Sequence, residues 1–288
     1  MRLLVFVTAL LLSLPALAQP KSVPVVAAEN FYGDVARQIG GPNVAVSSIL
    51  SNPEEDPHLF EASPSVGRAL STARVVIYNG ADYDPWMAKL LRAAHSADRH
   101  VIIVADLLHR KTGDNPHLWY DPQAMPAVAK ALAASLQAAD PPHASNYQQD
   151  LEKFLDSLHP MDAKIAEMRQ RYAGMEVTAT EPVFGYMADA LGLKMRNERF
   201  QLAIMNNTEP RASDVATFED DLRHHRARAV LYNSQTENNA TRRLLKLAQS
   251  VGIPVVGVTE TEPPGKTYQD WMMDQLGRLD GALAQNPR

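Results

Sequence analysis

There is no cysteine anywhere in the 288-residue sequence. That excludes disulfides, thiolate metal ligands and a lipid-bearing N-terminal cysteine. Long apolar runs are missing after the first 14 residues, so no later segment offers the roughly 20 apolar residues that span a bilayer. Neither charge dominates: the formal net charge is −5, and a mildly acidic chain lacks the electrostatic footprint of a protein that binds nucleic acid or anionic lipid. Enzyme signatures are scarce too. The sequence contains no His-Glu-x-x-His helix, no Gly-x-Ser-x-Gly elbow and no phosphate-binding glycine loop.

What is present begins with Arg2, an apolar run from Leu3 to Leu14, and the small-residue sequence Ala16-Leu17-Ala18 before Gln19. This is the pattern of a cleavable secretory signal peptide over residues 1–18. The expected product is a free soluble protein, exported to the periplasm without a lipid anchor. About 270 residues remain, enough for one large or two medium cores.

Short apolar runs with strand character recur at Val23–Ala28, Val44–Leu50, Arg74–Tyr78, Val101–Ala105, Glu176–Ala179, Ala229–Tyr232 and Pro254–Val258. Helical spacing separates them, which argues for an α/β fold with mostly parallel sheets. One segment breaks the alternation. Tyr147, Leu151, Phe154, Leu155, Leu158, Met161, Ile165, Met168 and Tyr172 recur every three or four positions, giving a long amphipathic helix over 142–173, kinked at Pro160. It divides an N-terminal lobe, 19–141, from a C-terminal lobe, 174–288, as a stiff strut.

Two loops in the first lobe share one grammar: Asp56-Pro57-His58-Leu59-Phe60 and Asn115-Pro116-His117-Leu118-Trp119. In each, proline stiffens the backbone while leucine and an aromatic can fix the imidazole, the commonest metal ligand. A lone histidine is more often a surface or core residue; the repetition favours ligands. The remaining histidines lack this setting and read as solvated. In the second lobe Glu181 lies between a strand end and a helix start, and Glu260 ends another strand. By itself Glu181 reads sooner as an ordinary carboxylate favoured by a helix dipole, and Glu260 equally as a surface loop acid or a ligand. Open α/β sheets bind ligands beyond the carboxyl ends of their strands, so two imidazoles and two carboxylates could converge between the lobes on a divalent cation.

Taken in order along the chain, Ile39-Gly40-Gly41, Asp56-Pro57-His58, Asn79-Gly80 with Trp86, Pro116-His117-Leu118-Trp119, the long helix, Phe184-Gly185-Tyr186, Leu191-Gly192-Leu193, Glu209-Pro210 and the strand ending at Glu260 resemble the zinc/manganese-type substrate-binding proteins of metal ABC transporters, the ZnuA/TroA/PsaA-like family. The resemblance implies two Rossmann-like lobes joined by a long rigid helix, a metal between them, and a membrane permease with a cytoplasmic ATPase as partners. It matches His58 and His117 to the first two ligands and Glu181 to the third, which is histidine in zinc-type and often glutamate in manganese-type members. Glu260 stands where aspartate is usual. The histidine-rich acidic loop of many zinc-type members is missing.

These features lead us to expect a monomeric, non-enzymatic metal carrier, its cargo Mn²⁺ ahead of Zn²⁺. The manganese preference rests on Glu181, the missing loop and the capacity of two glutamates to bind through both oxygens. The main rival is an exported metal-dependent hydrolase with water at an open coordination position.

Overall fold

The computed structural model describes residues 22–52, 60, 63–236 and 238–285. The expected signal peptide and His58 lie outside them. In chain order the first half holds β1 (Val23–Glu29), α1 (Asn30–Gly40), β2 (Val44–Leu50), α2 (Pro64–Thr72), β3 (Val75–Tyr78), α3 (Pro85–Ala93), β4 (His100–Ile103), α4 (Val104–Leu107) and α5 (Ala124–Ala139). Helices α6 (Ala144–Ser157) and α7 (His159–Tyr172) lead to the second half. There follow β5 (Glu176–Ala179), α8 (Gly185–Ala190), β6 (Lys194–Arg196), α9 (Glu198–Met205), α10 (Ala212–Arg223), β7 (Val230–Asn233), α11 (Asn239–Ser250), β8 (Val255–Val258) and α12 (Tyr268–Ala284).

Each half builds one parallel sheet, in the orders β2-β1-β3-β4 and β6-β5-β7-β8. The topology is therefore used twice. Strand β3, Val-Val-Ile-Tyr, is buried along its whole length, as a central parallel strand covered on both faces should be. Strand order reverses between β1 and β3 and between β5 and β7, the points where such sheets open a crevice at their carboxyl ends.

Two elements depart from the sequence reading. Strand β6 was not expected, because Lys194-Met195-Arg196 has no apolar run; Arg196 anchors it through Asp221 at 2.8 and 2.9 Å and Glu176 at 2.9 Å. The run Val101–Ala105 stops being strand at Ile103, and Val104 already starts α4.

The connecting segment is helical on both sides of a break at Leu158, two residues ahead of the kink expected at Pro160. Proline has no N–H to continue the ladder and sits in the first turn of α7. Leu158 keeps right-handed helical dihedrals (φ −83°, ψ −18°), so the second helix carries on from the first.

The two halves share one core. Phe31 of α1 packs on Trp119 (centroids 4.7 Å apart) and Trp271 of α12 (5.8 Å). Tyr268 Oη donates to Trp119 O at 2.8 Å, and Tyr120 Oη to Thr259 O at 2.7 Å. Cutting Trp271 back to alanine would cost roughly 3–5 kcal/mol, the usual penalty for emptying such a site.

Candidate metal centre

His117 is completely buried. Asn115, two residues earlier, donates from Nδ2 to Pro182 O at 2.7 Å, which fixes the orientation of its amide. Its Oδ1 then accepts from His117 N at 3.2 Å and faces His117 Nδ1 at 2.6 Å. An oxygen there requires the proton on Nδ1, so Nε2 carries the lone pair. Nε2 faces Glu260 Oε2 at 3.8 Å. Around a tetrahedral ion, ligands at the ~2.0–2.1 Å typical of zinc stand roughly 3.4 Å apart. A metal ion thus fits between these two atoms with a shift of a few tenths of an ångström.

The carboxylates come from strand ends of the other half. Glu181 follows β5 and Glu260 follows β8, with 5% and 1% of their surfaces exposed. The Asn233 amide at the end of β7 donates to both, to Glu181 Oε2 at 3.0 Å and to Glu260 Oε1 at 2.6 Å. Tyr83 Oη donates to Glu260 Oε2 at 2.9 Å from the first half. Burial first, then the charges of Glu260 and Glu29, push the Tyr83 phenol well above its ordinary range, so it stays a donor.

Beneath this group lies a second pair of buried acids, Glu29 at the end of β1 and Asp84. Gly80, at φ +76°, begins a tight turn continued by Ala81 and Asp82, both also at positive φ. The turn brings the N–H groups of Asn79 and Gly80 to Asp84 at 2.7 and 2.8 Å. The Asn79-Gly80 motif therefore builds a carboxylate cradle. Burial raises Asp84 to about 6, these hydrogen bonds opposing the rise. Burial and then the Asp84 charge raise Glu29 well above the carboxylate range.

The chain thus brings His117, Glu181 and Glu260 to one interface between the halves. Among the described residues no three histidine or acidic side chains gather closely enough to hold an ion by themselves. His117 and Glu260 form a facing pair, Glu181 joins through Asn233, and His58 lies outside the described residues. Asn115, Tyr83 and Asn233 were missed in the sequence. Of these, Asn233 carried a usable signal, since it ends a strand at the same crevice. His143, read as solvated, is instead half-buried and paired with Asp140 at 2.7 Å. A cavity of about 540 Å³ opens elsewhere, along β6, lined by charges already paired such as Arg196 with Asp221; a single ion needs no such space.

A family model described as ZnuA, zinc-uptake complex component A, periplasmic, matches residues 25–282. The manganese ABC transporter substrate-binding lipoprotein PsaA of Streptococcus mitis is 22% identical, over 93% of this chain and 91% of its own length. The iron ABC transporter substrate-binding lipoprotein MtsA of Streptococcus pyogenes serotype M1 is also 22% identical with the same coverage. Among solved structures, the periplasmic zinc-binding protein TroA from Treponema pallidum superposes with a TM-score of 0.76 at 19% identity, covering 91% of this chain and 99% of that one.

Proposed function

This chain belongs to the ZnuA family of periplasmic zinc-uptake complex components, and from that premise we propose that it binds one divalent transition metal between its lobes and delivers it to the membrane permease of an ABC importer, powered by a cytoplasmic ATPase. Members of this family are solute-binding proteins of transporters, not enzymes, which sets the hydrolase reading aside. The proposed ligands are His58, His117, Glu181 and Glu260. One observation carries the reading: a buried imidazole held with its lone pair toward a buried carboxylate oxygen 3.8 Å away. Two imidazoles and two carboxylates form a neutral set with a divalent ion, and binding adds stability to the fold that holds them.

The relatives are named for manganese, iron and zinc, so their names do not choose the cargo. The manganese preference expected from the sequence rested on Glu181, the missing histidine-rich loop and the capacity of both glutamates to bind through two oxygens. One oxygen of each accepts from Asn233 instead, which supports four donors, the number zinc favours. We therefore propose Zn²⁺ as cargo. Mn²⁺ is the second reading, favoured by two oxygen ligands. The streptococcal relatives are lipoproteins, and the proposal for this chain is a monomeric periplasmic protein.

The test is metal accumulation under limiting supply in cells with and without the protein. Loss of zinc uptake on deletion, restored by the wild-type chain, is expected. Unchanged uptake of zinc, manganese and iron would overturn the proposal, and loss of manganese alone would transfer it to the second reading.

A further inference from the structure

A cleft of about 500 Å³ lies on the seam between the two halves, and His117, Glu181 and Glu260 are not among the residues that line it. One wall is α1, where Asn30, Asp34 and Arg37 are spaced to share a single helix face. The opposite wall is the segment from Glu262 to Lys266. Asn30 ties the walls together, donating from Nδ2 to Glu262 O at 2.7 Å and accepting the Glu262 N–H on Oδ1 at 3.1 Å. The width of the cleft is thus fixed by bonds that also join the halves.

The charged groups in this cleft do not satisfy one another. Glu262 has 5% of its surface exposed, and among the described residues no hydrogen bond or ion pair reaches its carboxyl group. Asp34, 7% exposed, accepts on Oδ2 from Gln38 Nε2 at 2.6 Å and from Tyr268 N at 3.0 Å, while its Oδ1 has no partner among the described residues. Ser48 Oγ on β2 is a further buried oxygen without a partner in the same cleft. Arg37, one turn along α1 from Asp34, is exposed and forms no ion pair among the described residues. Lys266, by contrast, is engaged with Asp274. Glu262 feels its burial first, then the repulsion of Asp34 and the opposing attraction of Arg37, so the three groups share one electrostatic environment.

A carboxylate held out of water without a partner is costly, and a positive charge with N–H donors stabilises it. A bare metal ion suits this cleft poorly. Among the described residues no third acidic or histidine side chain joins Asp34 and Glu262, Arg37 on the same wall opposes a lone cation, and the volume is that of a small-molecule site. A small molecule that carries both charges answers all three groups. An ammonium offers three N–H donors to Glu262 and to Asp34 Oδ1, and a carboxylate next to it matches the planar fork of the Arg37 guanidinium. We propose that this cleft is a second ligand site, for a free α-amino acid held by its ammonium group on Asp34 and Glu262 and by its carboxylate on Arg37. The site is independent of the metal-cargo reading, and its ligand bridges the two halves.

The test is calorimetric titration and thermal melting of metal-depleted protein with glycine, L-alanine and L-leucine, and with methylammonium and acetate, each of which carries one of the two charges. At least one of the amino acids is expected to bind with one molecule per chain, to raise the melting temperature, and to bind about tenfold or more tightly than methylammonium or acetate. Arg37→Ala and Glu262→Gln should each weaken that binding about tenfold or more, since each removes one partner of a charge pair. Arg37 is exposed, so Arg37→Ala decides should Glu262→Gln not fold. Absence of binding by all three amino acids overturns the proposal. Methylammonium binding as tightly as the amino acids overturns it, as does undiminished affinity in Arg37→Ala. Stabilisation by Mg²⁺ or Ca²⁺ that is lost in Glu262→Gln, with the amino acids without effect, would make the cleft a metal site and overturn it also.

Discussion

The amide of Asn115 holds His117 in one tautomer while reaching across the interface to Pro182: Oδ1 lies 2.6 Å from His117 Nδ1 and Nδ2 lies 2.7 Å from Pro182 O. Tyr186 Oη also donates to Asn115 O at 2.7 Å, and a methyl group on Gly185 would stand 2.8 Å from Asn115 Nδ2. The second half of the molecule thus orients a histidine of the first.

Asn115→Ala frees the imidazole to rotate or change tautomer. Groups that support a metal-binding histidine in this way are worth roughly 10–100-fold in metal affinity. A loss in that range is expected when Zn²⁺ is titrated in competition with a chromophoric chelator. Unchanged affinity would show that His117 needs no such support.

A pH effect follows from Glu29. Its folded-state value is raised above the ordinary 4.5 by burial first and then by Asp84. Below about 4.5 both folded and unfolded chains are protonated there. As pH climbs above that, the unfolded chain loses the proton first, so stability falls until the raised folded value is passed. Asp84, raised to about 6, adds a slope of the same sign between 3.8 and 6. Glu29→Gln removes the titrating group while keeping the size of the side chain. Denaturant unfolding of metal-free protein at pH 6 and 8.5 should show a flatter decline in the variant. Glu262, raised to about 9 chiefly by burial, contributes to both proteins, so the difference between them is the readout. Parallel declines would place the proton elsewhere.

Much of this was legible before any coordinates. Seven strands announced themselves as β-branched runs, and the matched Pro-His-Leu-aromatic loops pointed to His117. The supporting residues were not legible for a physical reason. Tyr83 reaches Glu260 across 177 positions, and Asn233 meets Glu181 across 52. The first pairing exists only once the two sheets face each other and the second only once β5 and β7 lie side by side, and an asparagine that ends a strand looks like any turn residue. The same limit hid β6, whose three residues are held by ion pairs rather than by an apolar run.

Lobe movement should be small. Helix α12 belongs to the second half yet is packed on the first through Phe31, Trp119 and Tyr120. Tyr268 N also donates to Asp34 Oδ2 at 3.0 Å. Asn30 and Glu262 join the halves again through bonds of 2.7 and 3.1 Å. Small-angle scattering of metal-free and zinc-loaded protein should give nearly superimposable curves. A marked fall in radius of gyration on loading would mean that this shared core opens.

Calorimetric titration of metal-depleted protein with Zn²⁺, comparing wild type with His58→Ala, His117→Ala, Glu181→Ala and Glu260→Ala, tests the proposed site most directly. The expected result is one ion per wild-type chain and a loss of more than about tenfold in affinity in each variant, since each removes a coordinate bond from a small closed site. Wild-type affinity and stoichiometry retained in both His117→Ala and Glu260→Ala would contradict it.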